Sequence, residues 1–204
     1  MGLVERRRGR PGGDKAMKLY LASRSPRRTK LLKEAHIRCT VLKSNFVESS
    51  PPGMGPAKAV QKNALGKARA VLARAKDGLV LAADTIVYFK GQIIGKPRDL
   101  RGAQKTLLSL QGRWHWVYTG VALLEVKKST VQRSILFYEK TRVRLRAMSK
   151  LQILRYFRRV DPMDKAGAYA VQSRSNSIVQ EVRGSFSNAV GLPMEQLCAR
   201  MKKL

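Results

Sequence analysis

An apolar run, Val80 to Ala83, ends on a carboxylate. The stretch "VLAADTIVYFKGQIIGKP" puts Asp84 at the close of that run and Lys96 further on, in Gly-Lys-Pro. The chain has only 13 Asp and Glu against 42 Lys and Arg, so an acid at this place is conspicuous. The end of a buried strand is where α/β proteins often place chemistry. A carboxylate there can hold a metal ion or act as a general base on water. It can equally just cap the turn into Thr85.

Other residues could work with it. In "LASRSPRR" a buried strand runs into a helix start carrying Ser23, Ser25, Arg27 and Arg28. Backbone N–H groups at a helix start favour anions, and hydroxyls and guanidiniums add directional donors for phosphate oxygens. The glycine-rich loop of a Walker-type site is absent. "DPMDKAGAYAVQ" sets Lys165 among Asp161 and Asp164, with Gln172 close behind. A lysine so flanked often forms only a local ion pair. Glu48 lies in the loop "SNFVES". His36 and His115 lack ligand spacing and read as structural or exposed. Trp114 and Trp116 alternate with Arg113 and His115, a pattern of strand packing more than of a stacking platform.

These residues need elements to position them. "KLYLAS" (18–23) reads as a buried first strand, and "SPRRTKLLKEAHI" as a helix with Ser25 at the N-cap and Pro26 in its first turn. "RCTVLKS" reads as a second strand. "PAKAVQKNALGKARAVLARA" is a long amphipathic helix in spite of Gly66. "GLVLAADTIVYF", a Lys90-Gly91 turn and "QIIG" make a hairpin, followed by a helix capped by Asp99. "RWHWVYTGVALLEV" and "VQRSILFYEKTRVRLRAM" form a second hairpin through "KKST". A helix capped by Ser149, a strand near "SIVQEV" and a helix from about Pro193 complete the chain. Interleaved helices and hairpins predict an α/β fold, a mixed twisted sheet with flanking helices. Residues 1–16 read as a disordered basic tail and 17–204 as one domain.

Composition adds limits. A net charge of +29 suits a polyanionic ligand or merely a biased surface, and leaves room for nonspecific binding to nucleic acid. No apolar run approaches the ~20 residues of a bilayer span, so no membrane association is expected. No apolar region follows the basic N-terminus, which argues against a secretory signal. Two well-separated cysteines, Cys39 and Cys198, read as reduced thiols of a cytoplasmic protein.

Taken together, "LASRSPRRTKLL", "SNFVES", "NALGKARAV", "LAADTIV…GKPRD", "GRWHWVYTGVAL", "DPMDKAGAYAVQ" and "GSFSNAVGLPMEQL" resemble the Maf (septum formation) family of nucleotide pyrophosphatases, from about residue 18 to the end. The resemblance implies a Maf/ITPase-like fold with a central cleft between two lobes. It implies hydrolysis of a nucleoside triphosphate to the monophosphate and pyrophosphate with a divalent cation, Mg²⁺ or Mn²⁺. Asp84 matches the catalytic acid, and Asp84 with Glu48 the metal ligands. Ser23, Arg28, Lys67, Lys96 and Lys165 match the substrate-binding positions. Arg27, Thr85 and Gln172 match the specificity positions of the branch acting on dTTP and UTP, where nucleotide pool sanitation is the implied role. A homodimer is implied as well.

The branch acting on 7-methyl-GTP has Trp, Gln and Glu at those three positions, so this chain lacks its stacking ring and anionic acceptor. The same chemistry on 7-methyl-GTP or CTP, or a non-enzymatic nucleic-acid-binding or division-regulating role, stand as alternatives. His36, where a glycine often ends the first helix, and Trp116, where an acid often follows the histidine, depart from the family pattern.

Overall fold

The structure is a computed structural model, which describes residues 17–171 and 178–203. The tail expected at 1–16 and the specificity position Gln172 lie outside the described residues. The core of the molecule is a seven-stranded mixed sheet. Its strands are β1 (Leu19–Leu21), β2 (Thr40–Val41), β3 (Gly78–Phe89), β4 (Gln92–Ile94), β5 (Trp114–Lys127), β6 (Thr130–Leu145) and β7 (Val179–Arg183). They run in the order β2-β1-β3-β5-β6-β7, with β4 also paired to β3. β1 pairs in parallel with β2 and β3, and the other pairs are antiparallel.

The two hairpins close as the sequence predicts, though without the usual Asn-Gly chemistry. Lys90 and Gly91 both have positive φ, as do Lys128 and Ser129. Positive φ at both turn residues matches the right-handed strand twist. The strain at Lys128 is met by its backbone N–H donating to Asp77 Oδ1 at 2.8 Å.

Helices cover both faces. They are α1 (Pro26–Glu34), α2 (Pro56–Arg69), α3 (Leu100–Leu110), α4 (Lys150–Phe157), α5 (Phe186–Val190) and α6 (Met194–Met201). Strand side chains alternate between faces, and β3 shows the consequence. Val80 and Ala82 meet Ala64, Ala68 and Val71 on the side of α2. Leu79, Leu81 and Ala83 join the larger core with Leu32, Leu107, Ile153, Val190 and Leu197 from the helices of the other side.

Several local expectations need correction. Ser25 occupies the N-cap of α1 as expected, but its hydroxyl accepts no capping hydrogen bond; separately, its backbone N–H donates to Ser23 Oγ at 3.1 Å. The second strand shrinks to Thr40–Val41, since its partner among the described residues, β1, is itself three residues long. The long helix stops at Arg69, and Leu72–Arg74 forms a separate 3₁₀ turn that buries Val71 and Ala75. Asp99 and Ser149 do cap α3 and α4, Ser149 with Gln152 in a capping box. His36 stands at φ 58°, the left-handed conformation in which glycine is common after a helix.

Gly120 sets how closely α2 approaches the sheet. A Cβ there would lie 2.4 Å from the Val60 carbonyl carbon, and a helix backbone cannot yield locally. Gly120→Ala is expected to cost about 3 kcal/mol by overpacking. Urea unfolding checks it, and an unchanged midpoint would show that α2 can shift without loss.

Candidate active site

The alternation of β3 continues past the core. After Val80 and Ala82, Asp84 is the next side chain toward α2, and it is 3% exposed. α2 meets it with Asn63 and Lys67, one helical turn apart and hence on one face. Lys67 Nζ donates to Asp84 Oδ1 at 2.6 Å and Asn63 Nδ2 to Asp84 Oδ2 at 2.9 Å. The ammonium also contacts Glu48 Oε1 at 2.7 Å and the Ala83 carbonyl at 3.3 Å. All three of its donors are therefore used, as burial of a cation demands. Ser49 N–H donates to Asn63 Oδ1 at 3.0 Å, so one amide joins the Glu48 loop to Asp84.

Thr85, next along β3, points to the opposite face. Its Oγ1 accepts from Arg28 Nη2 at 2.9 Å and lies 3.0 Å from Thr119 Oγ1. Arg28 also donates to the Gly191 carbonyl at 2.8 Å and to Ser23 Oγ at 3.3 Å. Burial lowers its pKa, while the Asp84 and Glu48 carboxylates pull the other way. A guanidinium keeps its charge in either case. Arg28 thus ties α1 to β3 and to the end of α5, and its bonds leave it half structural.

At the rim, Lys96 Nζ reaches both Glu48 oxygens, at 3.1 and 3.2 Å. Across the opening Arg27 donates to Asp164 Oδ2 at 3.0 Å, and Lys165 pairs with Asp164 and with the Asp161 carbonyl at 2.7 Å. Burial would raise the Asp164 pKa, but Lys165 and Arg27 hold it below the usual carboxylate value.

Ser23, Arg27, Arg28, Glu48, Lys67, Asp84, Thr85, Lys96 and Lys165 all line one cleft of about 300 Å³. The fold brings together every proposed site residue within the described segments. Among the described residues its walls carry six cations, Arg24 included, against three carboxylates, Glu48, Asp84 and Asp164. The surplus suits a polyanion, and low-dielectric walls focus that field. Sequence reasoning passed over Asn63. Its signal was available: it precedes Lys67 by one turn on the apolar-packed face of α2, where a buried amide needs partners.

His115 is buried and does not line the cleft itself; its Nε2 lies 2.6 Å from the Oη of Tyr169, a lining residue. Burial pushes its pKa down to about 4, against a backbone hydrogen bond at Arg113. No cluster of three or more His, Cys, Asp or Glu capable of holding a metal occurs among the described residues. No helix among them is long and apolar enough to cross a membrane.

A family model described as Maf-like protein matches residues 18–204. A dTTP/UTP pyrophosphatase of Gloeobacter violaceus is 43% identical over 181 residues, 89% of this chain and 93% of that protein. One from Pelotomaculum thermopropionicum is 40% identical over 185 residues, 91% and 95% of the respective chains. Among solved structures, the Ham1 protein of Staphylococcus aureus aligns with a TM-score of 0.49 at 13% identity, over 91% of this chain and 98% of that one.

The Glu48 contacts carry a pH dependence. Burial alone would raise its pKa, but Lys67 and then Lys96 outweigh this and hold it at about 2, against 4.5 for the free group. A carboxylate lowered in the folded state stabilises fully above 4.5 and loses that contribution as the pH falls toward 2. Glu48→Gln is expected to flatten the loss of stability between about pH 5 and about pH 3. Urea midpoints at both pH values test this, and parallel slopes for the two proteins would refute it.

Proposed function

Because the chain belongs to the Maf-like protein family, we propose that it is a nucleoside triphosphate pyrophosphatase acting on dTTP and UTP. It releases pyrophosphate and the nucleoside monophosphate, a reaction suited to clearing pyrimidine triphosphates from the nucleotide pool. Residues 17–204 act as one catalytic domain. The observation that carries the reading is Asp84: a buried carboxylate at a strand end, held by Lys67 and Asn63 inside a cleft with a surplus of cations.

Asp84 and its cations divide the work. Asp84 is the base that takes a proton from the attacking water. Both of its oxygens are engaged before substrate arrives. A triphosphate entering the cleft competes for the Lys67 ammonium, which frees Oδ1 toward the water, while Asn63 keeps the carboxylate oriented. Ser23, Arg28, Lys96 and Lys165 grip the phosphates and stabilise the leaving pyrophosphate, since phosphoryl chemistry is mostly positioning and electrostatics. Arg27 and Lys165 are tied to Asp164 in the same rim, so phosphate binding there exchanges one set of charge partners for another.

A divalent cation fits the donor set. Glu48 and Asp84 come from different elements yet converge on one point, the Lys67 ammonium, at 2.7 and 2.6 Å. Two hard carboxylate donors completed by phosphate oxygens and water suit Mg²⁺ or Mn²⁺, which would supply charge neutralisation at the phosphates. Glu48 and Asp84 would hold it.

For the base, Arg27 and Thr85 line the cleft; Gln172, which lies outside the described residues, is the third specificity position that the family resemblance implies. A glutamine amide offers both the donor and the acceptor that a pyrimidine 4-keto and N3–H edge needs. Neither Arg27 nor Thr85 offers a ring to stack on a methylated guanine. Both cysteines are free thiols, as suits a cytoplasmic enzyme.

Asp84→Asn is expected to lower kcat for pyrophosphate release from dTTP by about 10³-fold. Lys67 keeps Glu48 as a partner in that variant, so the fold should persist by circular dichroism. A folded, fully active variant would remove the role given to the carboxylate. Gln172→Glu should weaken the preference for dTTP over 7-methyl-GTP; an unchanged ratio of kcat/KM values would count against the specificity assignment.

A further inference from the structure

The sheet face that carries Asp84 extends past the end of α2. Residues paired in register point to the same side. Beyond the cleft this side therefore carries Tyr88 of β3, then Trp114, Trp116 and Tyr118 of β5, Tyr138, Lys140, Arg142 and Arg144 of β6, and Arg183 of β7. Trp114, Trp116 and Tyr118 are half-buried, whereas Tyr138 and Lys140 are exposed.

Rings and cations interleave on it. The Arg142 guanidinium lies 5.0 Å from the Trp114 ring centre and 5.4 Å from that of Trp116. Lys140 Nζ lies 4.9 Å above Trp116, and the Arg183 guanidinium 4.6 Å from Trp114. Tyr118 stacks on Tyr138 with ring centres 6.2 Å apart and meets Tyr88 edge-on at 6.0 Å. The carboxylate opposite Arg144 in this register, Glu181, pairs with Arg183 at 2.7 Å. Lys140, Arg142 and Arg144 form no ion pair among the described residues.

From this face we propose a second binding surface, for single-stranded nucleic acid, separate from the catalytic cleft. The cations call for phosphates, and the half-buried rings among them call for flat apolar partners. A single strand supplies both along one polymer, because its bases are unstacked and its backbone is charged. A second copy of this chain, at +29, would bring like charge to the same face. A duplex hides its base faces, and an anionic membrane offers phosphates without rings. The surface offers rings and cationic donors rather than base-edge readers, so binding would tolerate any sequence.

The test uses a fluorescein-labelled oligothymidylate of about 20 nucleotides, followed by anisotropy over a salt series, with a non-hydrolysable dTTP analogue filling the cleft. The expected results are binding that persists with the analogue and quenching of tryptophan emission. Trp116→Leu should weaken binding by about tenfold. The exposed pair Lys140→Gln with Arg183→Gln should weaken it too, and should make the slope of log K against log salt shallower by about 1.4. Pyrophosphate release should be unchanged in both variants, which also shows that they fold.

Equal affinity of wild type and both variants would overturn the proposal, since attraction would then follow total charge alone. So would loss of oligothymidylate binding when the analogue is present. Duplex of the same length, or phosphatidylglycerol vesicles, binding as tightly and with the same dependence on Trp116 would overturn it as well.

Discussion

One ammonium group between two carboxylates organises this protein. Lys67 is buried, and moving a charge out of water costs several kcal/mol unless every donor finds an acceptor. Asp84, Glu48 and the Ala83 carbonyl satisfy it. Each of those groups belongs to a different part of the chain or a different kind of atom, so the ammonium fixes β3, α2 and the loop before α2 relative to one another. Asn63 strengthens the same joint by bonding Asp84 with one end of its amide and the Ser49 backbone with the other. The site is thus assembled by the electrostatic demands of a buried cation.

The sheet decides what that exchange can reach. Asp84 and Thr85 are neighbours in sequence but face opposite sides of β3, as the pleat requires. Asp84 therefore joins Lys67, and Thr85 joins Arg28 and Thr119. The cleft wraps around the strand at this point, so adjacent residues line it from both faces of β3. The close approach of α2 at Gly120 makes this possible, because a helix held further out would leave Asn63 and Lys67 short of the carboxylate.

Cations of the chain sit in two different surroundings. In the cleft, cations are matched by acids and by one another's geometry, which suits a small ligand held at fixed points. On the open face of β5 and β6 they are matched by rings instead, which hold guanidiniums in place without neutralising them. Trp116, a departure from the family pattern, contributes to that second surface and not to the first.

Much was legible from the residues in order. Period-2 apolar runs, capping residues such as Asp99 and Ser149, and turn residues such as Gly91 act locally, so they marked the strands, two helix starts and both hairpins. Chemistry-bearing side chains at strand ends and helix starts stood out because acids are scarce, and they did converge on one cleft. Tertiary structure alone decided the rest. Ser25 holds the N-cap position of α1 without a side-chain cap, while its N–H donates to Ser23 Oγ, itself held by Arg28 from further along the chain. The second strand was cut short by the length of its partner, and Val71 ended the long helix by entering the core. Asn63 became part of the site only when α2 docked on Gly120. Trp114 and Trp116 became a charged aromatic face only when β6 and β7 set arginines across from them. Propensity, patterning and caps are settled within a few residues, whereas a buried charge, a docked helix or a cross-strand stack takes its partners from distant parts of the chain, and only the packed fold brings those together.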